Sequence, residues 1–160
     1  CRDLLSTGPY VAHLVETSGV PVGILPALIF VVACFLSFST GTAWGTFGIL
    51  IPIIISICEV AAPELLIVTL SATLAGSVFG DHTSPISDTT IMASAGAQCE
   101  HVTHVTTQLP YVITVAAVSF VTYLIAGFVR NVLIMLVIGF ALMVATLYVI
   151  KQIAGNKQTA

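Results

Sequence analysis

Two aspartates lie seven residues apart in a stretch of the sequence that is otherwise rich in hydroxyl groups. Asp81 and Asp88 stand on either side of Pro85. The hydroxyl side chains of this stretch include Ser84, Ser87, Thr89 and Thr90. Hard cations such as sodium take oxygen ligands of these kinds. A carboxylate removed from water also favours its protonated form, so the pattern predicts a site where Na⁺ and H⁺ compete.

A second polar stretch, residues 37–48, carries no charge and contains three glycines and several hydroxyl groups. Glycine favours irregular backbone, and such backbone is tolerated at membrane depth where it is buried in protein or lines a cavity. We therefore expect residues 37–48 to be unwound and to face a cavity. Thr40 and Thr42 would then supply further uncharged ligands for the cation.

The sequence from Ser84 to Pro85 is typical of a helix start, with a hydroxyl at the N-cap and proline at the first helical position. A helix over residues 85–97 is too short to cross a membrane, which predicts a re-entrant half-helix. It would place Asp88 near the positive end of the helix dipole, so Asp88 is the first choice for the ion-binding carboxylate and Asp81 the second. His82 would either tune the site to pH or stabilise a turn.

Three alternative interpretations concern these aspartates or the polar residues that follow them. Asp81 and Asp88 could lie in an ordinary solvated loop outside the membrane. An intramembrane aspartyl protease is disfavoured, because such a pair of aspartates is expected on two different helices. Cys99, His101 and His104 have spacing that could hold zinc, but no second pair of ligands accompanies them.

The composition excludes an ordinary soluble domain. Of 160 residues, 58% are hydrophobic and 7% are charged, against roughly 25% charged in soluble domains. The formal net charge is −3, and no basic cluster could neutralise a row of phosphates. The sequence therefore predicts an integral membrane protein in contact with a lipid bilayer, with no nucleic acid among its partners.

Charge-free stretches predict an all-α fold of membrane-crossing helices. The four predicted spans are residues 20–38, 65–79, 105–129 and 131–150. Residues 47–57, with Pro52, are too short to cross alone, and residues 151–160 form a short polar tail. We interpret residues 1–160 as one transmembrane domain, with its motifs between residues 37 and 129.

The two polar stretches resemble the NhaC-type sodium/proton antiporter family. The resemblance is carried by residues 40–52 (TGTAWGTFGILIP), 79–90 (FGDHTSPISDTT), 99–102 (CEHV) and 107–111 (TQLPY). It implies a transporter fold of two inverted repeats, each with a broken helix and a re-entrant hairpin. It also implies a secondary antiporter that exchanges sodium for protons, rather than an enzyme, and no cofactor beyond the transported ions.

By this resemblance the chain is the C-terminal half of a transporter in a bacterial plasma (inner) membrane. We expect the N-terminal half of the same transporter as its partner, with a homodimer as an open alternative. Relatives that couple sodium and protons to malate or lactate keep an organic acid exchanger open. A third interpretation is a membrane subunit that transports nothing.

Overall fold

The computed structural model describes residues 21–129 and 131–158, and six α-helices occur there. They are α1 (Leu25–Thr40), α2 (Ala43–Ala61), α3 (Leu66–Thr83), α4 (Asp88–Gly96), α5 (His101–Ala126) and α6 (Val132–Gln158). Short 3₁₀ turns, Val22–Ile24 and Pro63–Leu65, precede α1 and α3. These residues contain no strand, which confirms the all-α fold.

Five of the helices are long and apolar enough to cross a membrane, one more than the sequence predicts. The candidate spans are Val22–Thr40, Ala43–Val60, Pro63–Thr83, His101–Ala126 and Val132–Gln152. The prediction that residues 47–57 cannot span was wrong, because α2 continues past both ends of that segment and contains Pro52 in its interior. Thr42 caps the first turn of α2 and adds residues before Phe47 to the helix.

Helix α6 continues to Gln158, six residues beyond the end of the candidate span at Gln152, so residues 153–158 of the polar tail are helical. A helix propagates at little cost once it is established, and this tail has no proline to end it.

Helices α1 and α3 pack very closely and run in the same direction. A Cβ atom at Gly76 would overlap with the carbonyl oxygen of Phe30, and one at Gly80 with that of Cys34. The hydroxyl of Ser37 donates to the carbonyl of Ser77 at 2.6 Å in the buried contact. Small residues let helix backbones approach in this way in membranes, so these glycines fix the position of α3 against α1.

Helices α2 and α5 run opposite to α1 and α3. Helix α2 leads from the end of α1 back to the start of α3 through Pro63–Leu65. On α5, Gln108 contacts the end of α3 and Tyr123 contacts Ser71 near its start, with 3.0 Å between the two hydroxyl oxygens. The polar turns after α1 and after α3 therefore lie at the same end of the bundle.

The surface of the bundle is strongly apolar. Trp44 is 83% exposed, Ile67 75% and Leu133 76%, and no residue in the apolar window of α6 is buried. Such a surface is stable in lipid but not in water. Together with the five long apolar helices, it makes this chain an integral membrane protein.

Candidate functional site

The end of α3 and a tight turn place the first predicted carboxylate. Helix α3 continues to Thr83, so Asp81 lies in its last turn. Residues 84–87 form a turn in which the Ser87 N–H donates to the Ser84 carbonyl at 3.3 Å. Proline is favoured at the second position of such turns, which is where Pro85 lies. The predicted helix start at Pro85 was therefore wrong: α4 begins at Asp88, and Ser87 is its N-cap residue.

Asp81 is buried and is surrounded by hydroxyl groups. Its side chain accepts a hydrogen bond from Ser87 Oγ at 2.7 Å on Oδ1 and another from Thr89 Oγ1 at 3.0 Å on Oδ2. The residue is 4% exposed. The imidazole of His82 lies nearby, with Nδ1 3.8 Å from Oδ2 of Asp81. The turn thus gathers a carboxylate and two neutral oxygen donors into one cluster.

The hydroxyl of Ser84 has no hydrogen-bond partner among the residues that the structure describes. Its residue is 0% exposed, and leaving a buried polar group unpaired costs about 1–3 kcal/mol. The predicted role of Ser84 as a helix N-cap was wrong, because it follows the last residue of α3 instead. A buried oxygen without a partner, three residues from Asp81, fits a ligand that the protein binds.

Asp88 is in a different environment from Asp81. It is exposed, lies in the first turn of α4, and accepts the backbone N–H of Thr89 at 2.8 Å. Thr90, one turn into the helix, is buried and its hydroxyl lies 3.5 Å from the His82 carbonyl oxygen. Of the two aspartates, the structure places Asp81 inside the hydroxyl cluster and Asp88 at its edge.

The first polar stretch is far less unwound than predicted. Residues 37–40 belong to α1 and residues 43–48 to α2, so the break is limited to Gly41 and Thr42. Gly41 ends α1 with φ of 66°, a left-handed conformation that favours glycine. The Thr42 hydroxyl accepts the Gly45 N–H at 3.5 Å. Efficient caps on both sides let the helices extend into the glycine-rich sequence.

The turn after α1 contacts the turn after α3, but the cation ligands predicted in the two turns do not form one cluster. A Cβ atom at Gly41 would lie 3.1 Å from the Ile86 carbonyl oxygen in the turn after α3. The Thr40 hydroxyl lies 3.0 Å from the Leu36 carbonyl oxygen and 3.4 Å from the Thr46 hydroxyl. Gly41 thus contacts both the side chain and the carbonyl of Ile86, while Thr40 is bonded within its own hairpin.

Two residues on α5 contact the site and were not predicted to belong to it. His101 Nε2 lies 2.7 Å from the Pro85 carbonyl oxygen, and its Nδ1 lies 3.0 Å from the hydroxyl of Ser94. Gln108 Nε2 donates to the His82 carbonyl at 3.0 Å. The sequence signal was His101, His104 and Gln108 at helical spacing in the polar first part of α5, before its apolar continuation. The described residues contain no group of three His, Cys, Asp or Glu that could hold a metal, which argues against zinc at Cys99, His101 and His104.

A small, partly open pocket of about 80 Å³ adjoins the carboxylate cluster. It is lined by His82, Thr89, Thr90, Ala93, His104 and Gln108. Two of these residues, His82 and Thr89, also lie beside the Asp81 carboxylate. The pocket has room for water molecules next to the groups that surround Asp81.

Apolar helices of spanning length around a buried, hydroxyl-lined carboxylate define an integral membrane protein that encloses a polar site. A family model described as "Na+/H+ antiporter family" matches residues 2–128. The chain therefore belongs to the Na⁺/H⁺ antiporter family.

Individual relatives agree with this family. An uncharacterized protein of Haemophilus influenzae is 52% identical over 124 residues, which are 78% of this chain and 24% of the relative. An uncharacterized Na⁺/H⁺ antiporter of the same organism is 39% identical over 103 residues, covering 59% of this chain and 22% of that protein. The malate-2H⁺/Na⁺-lactate antiporter of Bacillus subtilis is 33% identical over 98 residues, covering 61% of this chain and 21% of that protein.

The chain spans less than a quarter of the length of these curated relatives. No solved structure matches it.

Proposed function

We propose that this protein is part of a secondary antiporter that exchanges Na⁺ for H⁺ across a bacterial plasma membrane, with Asp81 as the shared binding group. The observation that carries the proposal is the buried Asp81 carboxylate with two hydroxyl donors. The hydroxyl of Ser84, three residues further along the chain, is buried and has no partner among the described residues. One carboxylate that binds either cation, but not both at once, is sufficient to couple their opposite movements.

The oxygens around Asp81 suit sodium chemically. The hydroxyls of Ser87 and Thr89 donate their hydrogens to the carboxylate and keep lone pairs that can bind a cation. The Ser84 hydroxyl would supply a third neutral oxygen. Hard cations prefer such sets of carboxylate and hydroxyl oxygens, and a proton on Asp81 would remove the negative charge that attracts sodium.

The other predicted ligands take outer positions in this proposal. Asp88 adds negative charge at the edge of the cluster, and Thr90 holds the end of α3 through its contact with His82. Thr40 and Thr42 shape the turn that contacts Ile86. We further propose that parts of the transporter other than this chain, the predicted N-terminal half among them, complete the site.

Exchange in everted vesicles tests the proposal, using a pH-sensitive dye and the addition of sodium to the full-length protein. We expect Asp81→Asn to abolish sodium-driven proton movement, because the amide keeps the shape of the side chain and loses its charge. Asp88→Asn is expected to slow exchange without abolishing it. The matched control is Glu100→Gln, which removes an equal charge at an exposed position. Full exchange in Asp81→Asn would contradict the assignment.

The second candidate function is sodium- and proton-coupled exchange of organic acids, which the name of the Bacillus subtilis relative favours. The same vesicles would then show uptake of malate or lactate that depends on the sodium gradient. A membrane subunit without transport activity would show neither exchange.

A further inference from the structure

Helix α5 carries three polar side chains on the face that contacts the candidate site. His101, His104 and Gln108 follow one another at spacings of three and four residues, which places them on one side of a helix. We call them the polar strip of α5. Polar groups are costly in a membrane helix unless they have partners or a function, so their contacts are informative.

His101 binds both ends of the segment that follows α3. A carbonyl oxygen can only accept, so Nε2 carries the hydrogen and donates to Pro85 at 2.7 Å. Its Nδ1 lies 3.0 Å from the hydroxyl oxygen of Ser94, whose hydrogen is donated to the Ile91 carbonyl at 2.9 Å. One side chain of α5 thereby ties the turn at residues 84–87 to the second half of α4.

Gln108 binds the backbone on the other side of that turn. Its amide donates to the His82 carbonyl at 3.0 Å, and this carbonyl is among the last of α3, where no further helical N–H is present to pair with it. His82 directly follows Asp81. The two contacts therefore hold the main chain one residue after the carboxylate and four residues after it.

We propose that His101 and Gln108 are positioning residues that set the distance between Asp81 and the hydroxyls of Ser84 and Ser87. The inference rests on the proposed function, because it concerns the sodium affinity of the same site. Neither side chain contacts the carboxylate, so each acts through the backbone it holds. Cation ligands must be placed within a fraction of an ångström, and a loose turn would weaken sodium binding before it slowed transport.

The test measures the half-saturating sodium concentration and the maximal exchange rate of the full-length protein in everted vesicles. We expect His101→Leu and Gln108→Met each to raise the half-saturating concentration about two- to tenfold, as expected for losing a hydrogen bond that holds a site in place. The maximal rate should remain near that of the wild type. His101→Gln, which keeps one donor for the Pro85 carbonyl, should recover most of the affinity.

Thr106→Val is the matched control. Thr106 is exposed on the same helix, and its hydroxyl donates to the carbonyls of Val102 and Thr103 within α5, so the variant should behave as wild type. The proposal would be overturned if His101→Leu and Gln108→Met lowered the maximal rate and left the half-saturating sodium concentration unchanged. If His101→Leu does not accumulate in the membrane, Gln108→Met alone decides the question, because its side chain has nearly the same size.

Asp81→Asn is measured beside these variants to separate the two proposals. Retained exchange in Asp81→Asn would contradict the proposed function. If Asp81→Asn loses exchange while His101→Leu and Gln108→Met keep the wild-type sodium affinity, only the positioning role is contradicted.

Discussion

At the scale of single residues, the environment of a carboxylate matters more than its place in a motif. Asp81 and Asp88 belong to the same sequence stretch, yet Asp81 is buried under hydroxyl donors while Asp88 is exposed at a helix start. Ser84 adds a buried oxygen without a partner. The unpartnered hydroxyl of Ser84 gives this turn a stability cost, and such costs are concentrated at functional sites.

Ser84→Ala should separate stability from function. In sodium-free buffer the variant should be more stable by about 1 kcal/mol, because it removes a buried polar group that lacks a partner. Its half-saturating sodium concentration should rise, because the site loses an oxygen. Thermal unfolding in detergent and vesicle exchange measure the two effects.

Ser56→Ala provides the comparison for this variant. The Ser56 hydroxyl donates to the Pro52 carbonyl at 3.0 Å on α2, so its removal should alter neither property appreciably. A Ser84→Ala protein with wild-type sodium affinity would contradict the assignment of Ser84 as a ligand.

At the scale of elements, the contact between α1 and α3 positions the site. Gly76 and Gly80 bring the two backbones together, and Asp81 follows Gly80 directly. The bond from Ser37 to the Ser77 carbonyl lies in the same contact. A change in the spacing of these helices would therefore move the carboxylate itself.

Gly80→Ala should destabilise the protein by about 1–3 kcal/mol, because overpacking forces the helices apart. Gly48→Ala is the matched control, since no atom outside its own helix lies within 4 Å of the added carbon. Alanine in an open helical position stabilises by roughly 0.5–1 kcal/mol. Melting temperatures of the two variants in detergent make the comparison, and equal temperatures would contradict the close contact.

The sequence predicts the elements better than their ends. The apolar runs are sufficient to predict the helical membrane fold, and the string from Gly80 to Thr90 contains Asp81, Ser84 and Ser87. Their relative ranking depends on the turn at residues 84–87, which contacts α5 through His101. The bonds of His101 and Gln108 join residues 16 and 26 positions apart, and local patterns carry no information at that separation.

At the scale of the whole molecule, sodium should stabilise the folded protein through the site. A ligand present at one hundred times its dissociation constant adds about 2.7 kcal/mol of stability. We therefore expect sodium chloride to raise the melting temperature of the full-length protein in detergent, relative to an equal concentration of choline chloride.

Asp81→Asn is the variant that checks this prediction. Its melting temperature should be the same in sodium and in choline, whereas Glu100→Gln should respond to sodium as the wild type does. An undiminished sodium effect in Asp81→Asn would mean that the cation binds elsewhere in the protein.

Because α1 and α3 run in the same direction, the turns that follow them open on a single side. A cation that arrives from the opposite surface meets the tight seam at Gly76 and Gly80, where even a methyl group does not fit. We therefore expect a cation to reach Asp81 from the side of the turns. A path to the opposite surface must run outside the contact between α1 and α3.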